Sequence, residues 1–486
     1  MSADALFPVA RAPVTLRDYQ SAAGEDIRAA YRRGAKAPLL VMPTGAGKTV
    51  LFTYIASQGA AKGSRVLLLA HRRELVGQIS RALAQWHVEH GVIAAGTPET
   101  GHPVQVASIP TLARRLYPGK YRFDLVVIDE AHHAIEGSGL GAILADQADA
   151  KRLGVTATPC RLDGRGLGIG AGGYFDQMVI GPTVLDLIEQ GYLAPPIVYA
   201  PPEGQAPDLR GVKVRAGDYV AKELAAAMDK APLTGDAVAH YSRICPGQPA
   251  LAFCVTVAHA EHVAEQFRAA GYSAAALSGE TPDEVRDRMI RDLGQGRLQV
   301  LTSCNVVSEG TDIPVVSAAI LLRPTASYSL AMQQMGRVLR IHPGKDKAII
   351  LDHAGNTRRH GLPTEPMLWS LAGRKKRAWQ PSDAERVKTC PDCEAVLALA
   401  TRTCPECGAD LWVAADPEVV AAQLEAVDAT EIARARRREV ALAKSLTDLQ
   451  RIGKERGYKS GWAHHVWRER QQSRFAGPAY GAAAHG

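Results

Sequence analysis

The octapeptide MPTGAGKT at 42–49 constrains this chain more than any other feature, because it stands between the apolar run LLV and the helix-favouring run LFTYIASQ. Strand, glycine-bearing turn and helix in that order bring several backbone N–H groups to one helix N-terminus, where anions are favoured. Thr44, Gly45, Ala46 and Gly47 supply the turn, Lys48 can reach the β- and γ-phosphates of a nucleotide, and Thr49 suits Mg²⁺. The pattern is GxxxxGK[ST], with Met42 where the first glycine usually stands. A strand that feeds such a loop belongs to a parallel sheet covered by helices.

The rest of the chain extends that architecture. Short β-rich runs alternate with helix-like segments: 39–42, 66–70, 104–109 and 125–128, then 250–255, 300–303, 319–322 and 348–351. Such alternation predicts two parallel sheets, and the Pro- and Gly-rich stretch APPIVYAPPEGQAPDLRG at 194–211 suits a crossing between them. The boundary is expected near residue 195. The 486 residues are about three domains' worth at roughly 150 each, and after residue 360 the alternation stops.

A second motif, VVIDEAHH at 126–133, ends a buried run in acidic residues. Hydrolysis of a phosphoanhydride needs a metal to neutralise charge and a group to orient water, so Asp129 suits the Mg²⁺ site and Glu130 the water. In the second half stands QQMGRVLR at 333–340. A phosphate loop in one domain and Arg337 and Arg340 in another meet only when the domains close, which makes closure a sensor of ATP.

Taken in order, these motifs resemble a superfamily 2 helicase of the DEAD/DEAH type. The resemblance rests also on RDYQ at 17–20, AHRREL at 70–75, TAT at 156–158 and SEGTDIP at 308–314. It implies two tandem RecA-like domains with ATP and Mg²⁺ in the cleft and nucleic acid across the top. Gln20 is implied to read adenine, Gly310 and Asp312 to contribute to nucleotide binding, and Arg337 and Arg340 to face the γ-phosphate. His132 is implied to couple rather than to ligate a metal. DEAH, TAT and QQMGRVLR sit closer to DNA-acting members than to RNA helicases. LDHAGNTRRHG at 351–361, the late cysteine cluster and GYKSGWAHHVW at 457–467 are similar to RadD-type bacterial DNA repair helicases and their phage-borne relatives.

Eight cysteines are too few for a disulfide framework in so long a chain, and four cluster as Cys390-x2-Cys393-x10-Cys404-x2-Cys407. Paired CxxC knuckles at that spacing predict one tetrahedral Zn²⁺. The expected organisation is RecA-like domain 1 over 1–195, linker and RecA-like domain 2 over 196–372, a basic run and four-cysteine zinc ribbon over 373–412, and a helical tail over 413–486. The ribbon is expected to stand apart from the motor, so that losing zinc leaves the motor folded but weakens DNA binding beside GRKKR at 373–377. GIGAGG at 168–173 fits GxGxxG but follows no strand, and is expected to be a mobile loop. His133 is expected at the surface.

The formal net charge of +7 permits a polyanionic partner without requiring one. No apolar run is long enough to span a bilayer and the start lacks a secretory pattern, so a cytoplasmic protein is expected. Trp379 beside the basic run, and Trp462 and Trp467 among Lys459, His464, His465 and Arg468, suit either base stacking or docking of the tail on the motor. A repair or single-strand-binding protein is a candidate partner for this region. The expected activity is an ATP-dependent DNA helicase or translocase. Alternatives are an ATPase that remodels duplexes without unwinding, and a zinc-containing scaffold with a vestigial motor.

Overall fold

The structure, a computed structural model, describes residues 14–116, 119–134, 139–161, 165–201, 207, 209, 211–215, 217–228, 232–304, 313, 315–365, 367, 369–372, 387–398, 401–411, 439–440, 442–443, 445–455, 461–464 and 466–467. Among them, no helix is long and apolar enough to cross a membrane. Gly310, Asp312, the 373–377 basic run, Trp379, Lys459, His465, Arg468 and most of the helical tail expected over 413–486 lie outside the described residues.

The first sheet comprises β1 (Pro38–Val41), β2 (Val66–Ala70), β3 (Gly91–Ile93), β4 (Val104–Ser108), β5 (Leu125–Asp129), β6 (Lys151–Thr156) and β7 (Gln177–Ile180). Their order is β3-β4-β2-β5-β6-β1-β7, every pairing parallel. All five residues of β2 and all four of β1 are buried. Burial on both faces is what makes these strands read as unbroken apolar runs. Helices at Asp18–Arg32, Lys48–Ala61 and Arg73–Gln85 cover the sheet.

The second sheet takes β8 (Pro196–Tyr199), β11 (Ala250–Phe253), β12 (Ala274–Leu277), β13 (Val300–Ser303), β14 (Ala318–Leu321) and β15 (Ala348–Asp352), after a two-stranded hairpin of β9 (Val214–Arg215) and β10 (Asp218–Tyr219). Both sheets have the parallel, helix-covered form of RecA-like domains.

The cysteine region departs from its expected separateness. β16 (Val387–Thr389) and β17 (Ala395–Ala398) extend the second sheet, which runs β12-β13-β11-β14-β15-β8-β17-β16. Strand β17 pairs antiparallel with β8 at Ala395↔Tyr199 and Val396↔Val198. An isolated hairpin is marginal in water, and annexing an open sheet edge satisfies its backbone.

The GIGAGG loop is pinned rather than loose. Gly168 N donates to Leu371 O at 2.9 Å, Tyr174 N to Leu167 O at 3.0 Å, and Arg161 Nη2 to Gly172 O at 2.5 Å. It receives the chain leaving domain 2, with Trp369 and Leu371 packed against the first domain's core.

The C-terminal unit is separate in its internal packing. Its helix Leu446–Glu455 opens on a reciprocal Ser445–Asp448 cap and buries Leu449 and Ile452. Trp462 lies against Gly453 of the same unit, where an added Cβ would approach its ring to 3.2 Å.

Candidate active site

Strand β1 delivers the phosphate loop and Gly47 turns it into the helix Lys48–Ala61, with φ of 72° in the left-handed region. A side chain there would be strained and would also strike the Gln20 amide, which occupies the space a Cβ would take. Gln20 is buried; its Nε2 donates to Ala46 O and Gly47 O, each at 3.2 Å, and its Oε1 accepts from Arg17 N at 2.9 Å. Tyr19 adds a hydroxyl bond to Ala46 O at 3.0 Å. The predicted glutamine therefore braces the loop backbone in this state.

Lys48 Nζ donates to Met42 O at 3.3 Å and Pro43 O at 3.2 Å. Burial pushes its pKa down, with Glu130 and Asp129 opposing. Asp129 closes β5 and its Oδ1 accepts from Glu130 N at 3.0 Å. Glu130 takes a left-handed backbone, φ 49°, uncommon for a residue with a Cβ and characteristic of strained functional sites. Burial would raise its pKa, but the His132 imidazole and the charges of Lys48 and Arg337 outweigh that and hold the carboxyl below its ordinary range. These neighbours favour the ionised form of Glu130, whose buried Oε2 lies 3.2 Å from His132 Nδ1.

His132 joins three stations. Its Nδ1 lies 3.0 Å from Thr156 Oγ1 and 3.2 Å from Glu130 Oε2, while Nε2 lies 3.5 Å from Gln333 Nε2 of the second domain. His133, expected at the surface, is half-buried, its ring 5.0 Å from His71 and 4.1 Å from His132.

The second domain approaches through the helix Tyr328–Gly336 and the one-turn segment Arg337–Leu339. An ideal Cβ on Gly336 would fall 2.8 Å from Thr44 Cβ, so only glycine allows this approach. Ala194 N donates to Leu339 O at 2.7 Å, and Leu193 bridges Arg340. Arg337 is buried, and together with Arg340 it lines the same cavity as Thr44, Gly45, Lys48, Thr49, Asp129 and Glu130. Cationic, anionic and hydroxyl groups thus converge at the phosphate loop, as charge neutralisation and water orientation require.

Sequence reasoning missed three contributors. Arg17 sits over the Tyr192 ring at 4.6 Å, and both line the cavity mouth. Arg17 is at least visible in RDYQ, whereas Tyr192 carries no local signal. The third is a buried cross-domain contact, Thr158 Oγ1 to Ser329 Oγ at 2.5 Å.

The four cysteines converge as predicted from their spacing. Their Sγ atoms lie within 4.8 Å of one another, with Cys390–Cys407 at 3.7 Å and Cys393–Cys404 at 3.6 Å. Zn–S bonds of about 2.3 Å in a tetrahedron place sulfurs about 3.8 Å apart, whereas a disulfide needs about 2.05 Å. The quartet fits a four-coordinate zinc.

The comparisons with known proteins agree with this geometry. The family model described as the res subunit of type III restriction enzymes matches residues 13–161, and that of the helicase conserved C-terminal domain matches 236–342. A 51.5 kDa protein of a Lactococcus phage (isolate 7-9) is 32% identical over 367 residues, covering 75% of this chain and 76% of the phage protein. The putative ATP-dependent helicase IRC3 of Saccharomyces cerevisiae is 32% identical over 71% of this chain, which spans 52% of that relative. Among solved structures, a fragment of a putative HsdR subunit of a type I restriction enzyme from Vibrio vulnificus YJ016 shares the fold, with TM-score 0.55 and 23% identity over 71% of this chain and 66% of that one.

Proposed function

This chain belongs to the superfamily 2 helicases, ATP-dependent nucleic-acid motors, and from that premise we propose that it translocates on or remodels DNA, as a RadD-type repair helicase would. The observation that carries the reading is the cross-domain constellation of Glu130, His132, Gln333 and Arg337 around the phosphate loop.

In this reading the backbone of 44–47 and Lys48 hold the ATP phosphates, and Arg17 and Tyr192 flank the base near Gln20. Thr49 and Asp129 are the residues suited to Mg²⁺, which would neutralise charge between the β- and γ-phosphates. Glu130, kept ionised by its neighbours, accepts a hydrogen bond from the attacking water and aims it at the γ-phosphorus. Arg337 and Arg340 offset charge developing on the transferred phosphoryl, and being on the second domain they act only in the closed form. Release of phosphate removes the anion they share with Lys48, and like charges across the cleft then favour opening. Nucleotide chemistry becomes relative motion of two domains.

A zinc ion held by Cys390, Cys393, Cys404 and Cys407 belongs to the same reading, as do a cytoplasmic location and a repair or single-strand-binding partner engaged through the C-terminal region. The test is ATP turnover measured with single-stranded DNA, duplex DNA, forked DNA and RNA at fixed salt. Stimulation by DNA is expected. Stimulation by RNA alone would overturn the DNA assignment, and absence of turnover with every polymer would mark the motor as vestigial.

A further inference from the structure

The hairpin that carries the cysteines is joined to the motor at three levels. By backbone, β17 lies on β8, and β8 pairs in parallel with β15. By packing, Ile197 and Tyr199 contact both the second domain's core and the cluster of Cys390, Ala395, Leu397, Cys404 and Leu411. By side chain, Lys347 Nζ bonds Glu406 Oε1 at 2.5 Å, and Arg358 bonds Thr389 Oγ1 at 3.2 Å and Pro201 O at 2.8 Å.

Two of these contacts are made by one short strand with a second duty. Strand β8 begins just after Leu193 and Ala194, the residues bonded to Arg340 and Leu339 in the ATP cleft. One side of β8 is thus held by β15, the other by the cysteine hairpin, and its N-terminal approach carries the arginine-bearing segment. A cluster of five buried residues is too small to fold alone, so the hairpin's order depends on its metal and on the sheet together. Without the hairpin, β8 becomes an edge strand of four residues with one hydrogen-bonded neighbour.

We propose that the four-cysteine zinc site is a clamp of the motor itself: the metal fixes β16–β17 on β8, β8 holds the Leu339–Arg340 segment in the cleft, and zinc occupancy thereby sets ATP turnover. This rests on the reading that the cysteines hold zinc, and replaces a role apart from the motor with one inside its second sheet.

The experiment compares full-length protein as purified, protein stripped by a zinc chelator, and stripped protein given zinc back. Metal content, amide hydrogen exchange by mass spectrometry and ATP turnover are read on each. Peptides spanning 196–199 and 348–352 are expected to exchange at least about tenfold faster after stripping, since local opening of an unclamped edge is favoured. Peptides spanning 38–41 and 66–70 of the first sheet serve as an internal control and keep their protection. Turnover is expected to fall at least about fivefold, a loss of about 1 kcal/mol in holding the closed arrangement, and to return with zinc. Protein purified without zinc, and binding none when offered it, overturns the metal reading. Zinc present but 196–199 unchanged on stripping overturns the clamp, and faster exchange with unchanged turnover overturns its link to the cleft. Cys393→Ser repeats the comparison without chelator; should it fail to fold, the stripped wild-type protein still decides.

Discussion

The hydroxyl pair Thr158–Ser329 offers the sharpest test of how the two domains recognise closure. Both residues are buried, 2% exposed each, and their oxygens lie 2.5 Å apart across the cleft. Ser329→Ala leaves the Thr158 hydroxyl buried opposite a methyl, and an orphaned buried hydroxyl costs about 1–3 kcal/mol. The cost falls on the closed form alone, because opening returns both groups to water. A closed population reduced by that energy lowers turnover by up to about 5- to 150-fold, with ATP binding to the first domain's loop much less affected. Thr158→Val should do the same from the other side. The double variant removes both hydroxyls and orphans neither, so it should be less impaired than the product of the two single losses, with a coupling of about 1 kcal/mol or more. Steady-state ATP hydrolysis with and without single-stranded DNA, for wild type and the three variants, gives the cycle directly. Strictly multiplicative losses would refute the contact as a closure sensor, and so would loss of thermal stability in each variant matching its loss of turnover.

Other consequences follow from the site. Lys48→Ala should abolish turnover by removing the cation proposed to hold the phosphates, whereas Glu130→Gln should abolish it while still binding ATP; retention of more than half the wild-type rate by either refutes the assigned role. Arg337→Ala should lower turnover by about 10³-fold with a far smaller change in nucleotide affinity, and Arg337→Lys should not rescue it, because a planar fork is lost; nucleotide titration beside kinetics separates the two effects. His353 is held by burial and by the nearby His240 at a pKa of about 4. The folded state therefore refuses a proton that the unfolded chain accepts below about 6.5, so His353 contributes fully above that pH and progressively less as pH falls toward 4. Thermal melts from neutral to acid pH should show the decline, and His353→Gln should flatten it.

The two sheets are legible in the sequence because their strands are buried on both faces, so Val66–Ala70 stands out as an apolar run and Val300–Ser303 as a β-favouring one, each at its observed bounds. Strands without that signature are not legible in the same way. β6 opens on Lys151 and Arg152, β12 is three alanines and a leucine, and β8 sits inside a proline-rich stretch. Their extended form is set by neighbours in the sheet rather than by local preference. The same division holds at the site. Lys48, Asp129, Glu130 and Arg337 announce themselves by motif, since phosphate chemistry fixes residue type and local spacing. Thr158–Ser329 and Arg17–Tyr192 join positions distant in sequence, and a hydroxyl or an aromatic ring carries no mark of its partner. Likewise the Cys390-x2-Cys393 spacing predicts which ion the thiols suit but not which strand the knuckle lies on.

The helix Tyr328–Gly336 and the residue after it explain why closure reads as a single event. Ser329, Gln333 and Arg337 recur at four-residue spacing, so one helical face presents all three to the first domain. Each meets a different station: Ser329 meets Thr158, Gln333 meets His132, and Arg337 lines the cavity with Glu130 and Lys48. The stations are themselves joined, because His132 touches both Glu130 and Thr156, and Thr158 N donates to Thr156 Oγ1 at 3.1 Å. A rigid face cannot seat Arg337 while leaving Ser329 and Gln333 apart from their partners. A shift that withdraws any one contact tilts the helix and withdraws the others, so the arginine reaches the phosphate site only when the polar contacts behind it are also made. On the proposed mechanism, hydrolysis is thereby conditional on the whole interface, which is the property a motor needs if each turnover is to accompany one cycle of domain movement.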